Sequence, residues 1–330
     1  MDLKELFKAE GLSYLGTVDA NVSRDAARFE DWMAKKPEWL LTYLEKYPEV
    51  RKEPEKIFPG TKSIVLFAFD YKQEDTLRNH GAIAQYARFT DYHRWMRKKA
   101  ECVAQNFLPA NSYRVCVDTA PVLERALAAK TKFGFIGKNT CYIHKEHGSF
   151  FLLGELFTSI PLKLDEKELE EEGCGPCTAC QTICPTGALK KDYQIEAELC
   201  LAYWTIEHRG TIPEKFWPYL KEYYFGCDLC QLACPYNQKT PNTLPLLTRN
   251  FPDLFQVATM DQVSYEKYFG GTPMTRAGRE GLRRNALIAM HVSGHPRLKE
   301  ALLTMKEKEK SVLAETVASI LTQRLNDSQV

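Results

Sequence analysis

Eleven cysteines occur in this chain, and eight of them fall between Cys174 and Cys234 at spacings that suit metal ligation. The run Cys174-x2-Cys177-x2-Cys180-x3-Cys184-Pro185 follows the bacterial ferredoxin pattern. In that pattern three close thiolates wrap one 4Fe-4S cluster and the fourth cysteine reaches across to another. A second run, Cys227-x2-Cys230-x3-Cys234-Pro235, repeats the end of the motif, and Cys200 stands alone between the two. The crossover logic therefore predicts one cluster on Cys174, Cys177, Cys180 and Cys234, and another on Cys184, Cys200, Cys227 and Cys230. Zinc is the competing use, but zinc ribbons take two separated C-x2-C pairs instead of such a run. Two clusters in tandem pass single electrons from a soluble donor to an acceptor elsewhere in the protein.

That acceptor is not given by spacing rules. No G-x-G-x-x-G follows a strand and no Walker A run is present. Cys102, Cys116 and Cys141 read as small buried hydrophobes. Asp118 ends the apolar run SYRVCVD, where shielding can keep a carboxyl protonated near neutral pH as an acid. The commoner use of such an aspartate is to cap the helix that follows. Farther on, Arg276, Arg279, Arg283, Arg284, Arg297 and Lys299 stand against Glu280 and Glu300, with His291 and His295 nearby. This predicts a local basic face, suited to phosphates or simply solvated.

The elements that must position these groups are legible from periodicity. Apolar, β-rich runs at 63–71, 112–118 and 149–159 alternate with helical patterns, among them one ending at Pro109 and another over 123–134, so residues 1–165 read as an α/β domain. LDEKELEEEG, with six acidic residues against one lysine, reads as a solvated connector. Residues 166–245 then change to cysteine, proline and turn residues, a small domain organised around clusters. Residues 246–330 return to amphipathic helices, a short stretch of helical repeat. A hydrophobic content of 44% supports packed domains in a chain that needs no disulfides, and no apolar run is long enough to span a membrane. The start MDLKELFKAEGL is an amphipathic charged helix unlike a signal peptide, which places the chain in the cytoplasm. A net charge of +1 excludes a uniformly basic nucleic-acid-coating protein but not a local patch.

Together, YAR and DYH (86–93), VDTAPVLERALAAKTKFGFIGKNT (117–140), CGPCTACQTICPTGAL (174–189), TIEHRG (205–210), FGCDLCQLACPYN (225–237) and RRNAL (283–287) resemble the epoxyqueuosine reductases, distant relatives of the reductive dehalogenases. The similarity covers most of the chain. It implies a mixed α/β multidomain protein with an N-terminal cobalamin-binding domain, a ferredoxin-like two-cluster domain and a short HEAT-like helical region. The implied activity is the two-electron deoxygenation of epoxyqueuosine at the tRNA wobble position to queuosine and water, at base-off cobalamin supplied by the clusters. Asp118 matches the family's proposed acid. The resemblance further implies cobalamin contacts at Arg51, Ala84, Asp118, Arg125, Tyr142, Ile143, His144 and Ala202, and tRNA contacts at His208, Arg209, Arg283 and Arg284. It also implies a flavodoxin- or ferredoxin-type donor and a monomer. No D-x-H-x-x-G run is present, so no histidine is expected below cobalt. His93 is expected to be structural or to line the cavity. The rival readings are a corrinoid reductive dehalogenase, an iron-sulfur flavoprotein and a plain electron carrier.

Overall fold

The structure, a computed structural model, describes residues 2–73, 82–165, 173–221, 223–238, 249–305, 315–317 and 319–320. Most of the acidic connector, at 166–172, and most of the helix expected over 311–325 lie outside the described residues. The chain begins with α1 (Leu3–Ala9), β1 (Ser13–Val18), α2 (Ser23–Lys35), α3 (Pro48–Lys52) and β2 (Ser63–Asp70). There follow β3 (Ala82–Ile83), α4 (His93–Gln105), β4 (Tyr113–Cys116), α5 (Glu124–Ala129), β5 (Gly134–Ile136), β6 (Tyr142–His144) and β7 (Phe151–Thr158).

One sheet organises this half, in the order β1-β2-β7-β4, and every neighbouring pair in it is antiparallel. The expected mixture of helices and strands is present, but its strands are not the parallel ones of doubly wound α/β folds. The central strand β2 is apolar from Ile64 to Phe69 because helices cover both of its faces. Val65, Phe67 and Phe69 point to the side where α4 lays down Met96, Ala100, Val103 and Ala104. Ile64, Leu66 and Ala68 point the other way, toward Leu127 and Ala128 of α5. A period of two in the strand meets a period near 3.6 in the helices. Gly16 permits the close passage of β1: its φ is +121°, and a Cβ there would meet the Thr131 side chain at 2.8 Å.

The second half comprises α6 (Ala179–Ile183), β8 (Tyr223–Phe225), α7 (Leu229–Leu232), α8 (Pro235–Gln238), α9 (Leu254–Thr259), α10 (Gln262–Phe269), α11 (Gly278–Val292) and α12 (Leu298–Met305). The short parallel pairing of β8 with β3 stitches it to the first half. Residues Leu282 to Met290 of α11 are buried on every side, so this helix is the axis of the C-terminal unit and packs against α9, α12 and the 3-10 helix Glu214–Lys221. Trp204, Phe216, Trp217 and Phe225 extend the same core into the cysteine-rich segment. No helix among the described residues is long and apolar enough to cross a membrane.

Candidate active site and cysteine clusters

Helices α6 and α7 are short turns packed on each other, and a Cys-Pro pair ends or follows each. Proline cannot extend a helix from behind but starts one well, as Pro235 does for α8. This geometry brings Cys174, Cys177, Cys180 and Cys234 around one small hollow, with Lys138, Ile143 and Pro235 as neighbours. Cys184, Cys200 and Cys227 form a second group, and Cys230 faces Cys227 and Cys200. Among the described residues no three His, Cys, Asp or Glu groups close around a point sized for one metal ion.

The second group is markedly dry. Burial pushes the Cys227 thiol up to about 12 and Cys230 well above the ordinary range, and the neighbouring thiols add to both shifts. Without a cation these groups rest as neutral thiols, and a cationic iron-sulfur core is what would hold them as thiolates. In the first group the Lys138 N–H points at Cys174 Sγ, 3.4 Å away, the kind of bond that tunes a cluster's potential. Cys141 lies between the groups, facing Cys234, Cys180 and Cys200, and burial lifts its thiol to about 11. Sequence spacing gave it no such position, because no ligand motif includes it.

Beyond the second group a polar cleft opens around Asp118. Its φ is +52°, a left-handed conformation that costs free energy in a non-glycine residue. The Thr119 N–H closes a tight turn onto the Val117 carbonyl at 2.5 Å, and this turn carries the carboxylate out of the line of β4. Asp118 Oδ2 accepts a hydrogen bond from the Tyr92 hydroxyl at 2.8 Å and lies 3.0 Å from His93 Nε2. The other ring nitrogen of His93 is 2.8 Å from Asp91. Asp118 does not cap α5: the N-cap is Leu123, and Glu124 accepts the Asp118 N–H at 3.0 Å.

Charge in this cleft differs from the expectation of a protonated aspartate. Burial favours the neutral acid, but the hydrogen bonds from His93 and Tyr92 outweigh it and hold Asp118 below its ordinary value. Asp118 and Asp91 together raise His93 to about 9. The mobile proton therefore rests on His93, hydrogen-bonded to an ionised Asp118. Around them stand Tyr43, Tyr86 and the Arg276–Glu207 ion pair at 2.9 Å. Asp118 senses the charge of Arg276, which the sequence had grouped with the basic helix face.

The implied cobalamin residues fall in several places. Arg51 reaches this cleft, where it senses Tyr43 and Glu124, and its buried Nε has no hydrogen-bond partner. Ala84 packs where Gly226, with φ +69°, comes so close that a Cβ would meet it at 2.5 Å. Ala202 precedes the π-helical turn Tyr203–Glu207, just past Cys200. Arg125 donates to the Thr140 carbonyl at 2.6 Å. Of the 142–144 stretch, Tyr142 turns its hydroxyl to Thr131, and Ile143 lines the first cysteine hollow. His144 is buried against Phe133 and His147.

Two of the implied tRNA contacts are internal. Arg284 is 1% exposed and donates to the carbonyls of Trp204, His208 and Gly210 and to Asn285. Arg283 is buried and donates to the Ala258 carbonyl. The charge pattern gave no sign of this, since a guanidinium that ties segments together has the same letter as one that meets phosphate. Arg209 is exposed and His208 half-buried.

A family model described as 4Fe-4S double cluster binding domain matches residues 173–237, and one described as epoxyqueuosine reductase QueG, DUF1730, matches residues 51–119. An epoxyqueuosine reductase of Escherichia coli (strain K12) is 33% identical over 334 residues, covering 96% of this chain and 86% of the relative. The crystal structure of an epoxyqueuosine reductase with a tRNA-Tyr epoxyqueuosine-modified stem loop superposes with TM-score 0.84 at 26% identity, covering 96% of this chain and 88% of that one. The Bacillus subtilis enzyme, solved with its catalytic aspartate loop swung out of the active site, gives the same TM-score, identity and coverage.

Proposed function

The chain belongs to the epoxyqueuosine reductase family, and on that premise we propose that it reduces epoxyqueuosine in tRNA to queuosine. The observation that carries this reading is the strained Asp118 turn, which sets up a carboxylate–imidazolium pair in a chain that also gathers eight cysteines into two groups. A plain electron carrier has no use for such a pair.

Each 4Fe-4S cluster takes one group of four cysteines: Cys174, Cys177, Cys180 and Cys234, or Cys184, Cys200, Cys227 and Cys230. A flavodoxin- or ferredoxin-type donor delivers electrons to the first group, whose neighbours Gly175, Pro176 and Thr178 are exposed. The drier second group passes them toward the cleft. Cobalamin, when bound, supplies a low-valent cobalt that can take up these electrons and engage carbon. One feature of the chain fits such a group: the orphaned, buried Arg51 Nε is a donor in need of an acceptor. Residues 142–144 can contribute backbone atoms only, since their side chains are committed elsewhere. Both His93 nitrogens already face carboxylates, so His93 is committed to proton handling and would not be free to hold the cofactor's metal.

In this arrangement Asp118 holds the imidazolium of His93 toward the substrate, and the pair donates the proton that an opening epoxide oxygen needs. Tyr92 fixes the carboxylate from the other side. The 117–123 turn, which carries Asp118, borders a cavity of about 420 Å3 lined by its own Thr119, Ala120 and Pro121, which gives it room to move. On the RNA side, Arg209 and His208 remain surface candidates, whereas Arg283 and Arg284 hold the frame behind them. The chain works as a monomer.

Anaerobic reconstitution with iron, sulfide and cobalamin, followed by reduction with epoxyqueuosine-containing tRNA, tests the reading. Cobalamin-dependent formation of queuosine, read by mass spectrometry of nucleosides, is the expected outcome. Iron near eight per chain without cobalamin uptake would overturn it in favour of an electron carrier.

A further inference from the structure

Reductive deoxygenation is demanding in protons as well as electrons. Both carbon–oxygen bonds of the epoxide break, a carbon–carbon double bond forms, two electrons enter from the clusters, and two protons leave with the oxygen as water. The Asp118–His93 pair holds one mobile proton at the cleft. The second must come from somewhere, and a cleft covered by a macrocycle and an RNA loop is poorly placed to take it from bulk water.

Behind Asp118 lies a group that the reaction as described does not use. Glu155 sits in the middle of β7, paired across the sheet with Leu66 on β2 and with Cys116 on β4. It is 0% exposed, and neither of its carboxyl oxygens has a hydrogen-bond partner. An ionised carboxylate in that position is costly without a cation or donors, and an apolar side chain there would be cheaper. Glu124, at the start of α5, connects it to the cleft: Oε1 accepts the Asp118 N–H at 3.0 Å. The titratable groups facing Glu155 are Glu124 and Asp118, with Cys116 on the adjoining strand. Arg97 and Arg114 also act on Cys116, and Arg125 and His93 act on Glu124.

We propose that Glu155 and Glu124 form an internal proton store that recharges the Asp118–His93 pair for the second protonation of each turnover. The inference rests on the function proposed above. One proton passes from His93 to the oxygen as the epoxide opens. A second moves from the Glu124 carboxyl through Asp118 and His93, converts the resulting hydroxyl to departing water, and is replaced on Glu124 from Glu155. After product leaves, bulk water reprotonates His93 in the reopened cleft and the proton passes back along the same groups to Glu124 and Glu155, so no proton is created or lost. Burial, reinforced by the Asp118 charge, raises Glu124 to about 8, and burial with Glu124 raises Glu155 further. Both are therefore neutral acids at the pH where Asp118 is ionised. Neither touches substrate; they act through the pair in front of them.

The test pairs two readouts on the reconstituted holoenzyme. Infrared spectra recorded across the pH range are expected to show a protonated-carboxyl band at neutral pH in the wild type that is lost in Glu155→Gln. Single-turnover conversion by the same variant is expected to slow several-fold, less than the roughly 10²- to 10⁴-fold of a group that meets the substrate directly, with its alkaline limb moved to lower pH. Glu124→Gln, on a separate element, is expected to shift the pH profile in the same direction, which keeps the proposal open to refutation if Glu155→Gln folds poorly. Absence of the band from the wild type, or wild-type turnover with an unchanged pH profile in both variants, would overturn it. If the wild type binds cobalamin and shows the band but leaves epoxyqueuosine unchanged, the parent reading fails and this one falls with it, whereas a wild type that forms queuosine without showing the band refutes only the store.

Discussion

The thiols of the two cysteine groups come from a 61-residue window, Cys174 to Cys234, and most are spaced two or three residues apart. The cleft draws Asp118 from the end of β4, Tyr92 and His93 from the start of α4, and Arg276 from beyond the cysteines. One region is specified locally, because an inorganic core gathers any chain that offers thiols at the right spacing. The other is specified by the fold, since its charges become a site only after the sheet, α4 and the C-terminal helices are assembled. The two should therefore fail differently.

The largest contrast is expected between Cys230→Ser and Asp118→Asn. Loss of Cys230, in the dry group, should lower iron from about eight toward about four per chain and abolish turnover, because the electron path is cut. Asp118→Asn should retain full iron and cobalamin uptake and lose turnover by roughly 10²- to 10⁴-fold, the range for a missing acid–base group. Iron analysis with single-turnover assays separates them. Iron loss in Asp118→Asn would break the comparison, since it would make the cleft part of the cluster scaffold.

A comparable loss, of roughly 10²- to 10⁴-fold, is expected for His93→Gln, because His93 carries the mobile proton. Its sign with pH follows from the cleft's charges. His93 is raised to about 9, so the folded protein holds that proton more tightly than the unfolded chain does. The stabilisation is complete below the ordinary histidine value of about 6.5 and is lost as pH rises through about 9. Asp118 is depressed, so its contribution is present above the ordinary carboxylate range and disappears as pH falls through its lowered value. Wild-type turnover should accordingly fall on the alkaline side near pH 9, and His93→Gln should remove that limb. A pH–rate profile of the two proteins, with thermal melts at the same pH values, checks both statements.

The same division explains what could be read before the fold was known. The strands at 63–70, 113–116 and 151–158 were evident because a buried strand is a continuous apolar run, and helix α4 because its apolar positions recur at helical spacing. Antiparallel pairing was not, since an apolar run has no direction. The family motifs pointed to Asp118, but its charge was misjudged: the strand suggested shielding and gave no hint of His93, 25 residues upstream. Cys141 belongs to no ligand motif and looks like an ordinary small hydrophobe in sequence, and only the packing puts it between two groups of thiols. Glu155 is invisible in FLLGELFT until the register shows it inside the sheet.

The finest test concerns the arginines, which sequence treats alike and the fold divides. Arg284→Met should leave the carbonyls of Trp204, His208 and Gly210 buried without their donor, at about 1–3 kcal/mol each and less than additively. It should thus lower the melting temperature clearly and change the salt dependence of tRNA binding little. Arg209→Ala removes an exposed guanidinium whose hydrogen bonds go to the carbonyls of Ile206 and Arg276. Its melting temperature should be near that of the wild type, while tRNA affinity drops a few-fold and the slope of log affinity against log salt shrinks by about one. Should Arg284→Met instead melt normally and lose a phosphate contact, the C-terminal unit would have to open when RNA binds. Buried charge on α11 would then belong to the substrate and not to the frame.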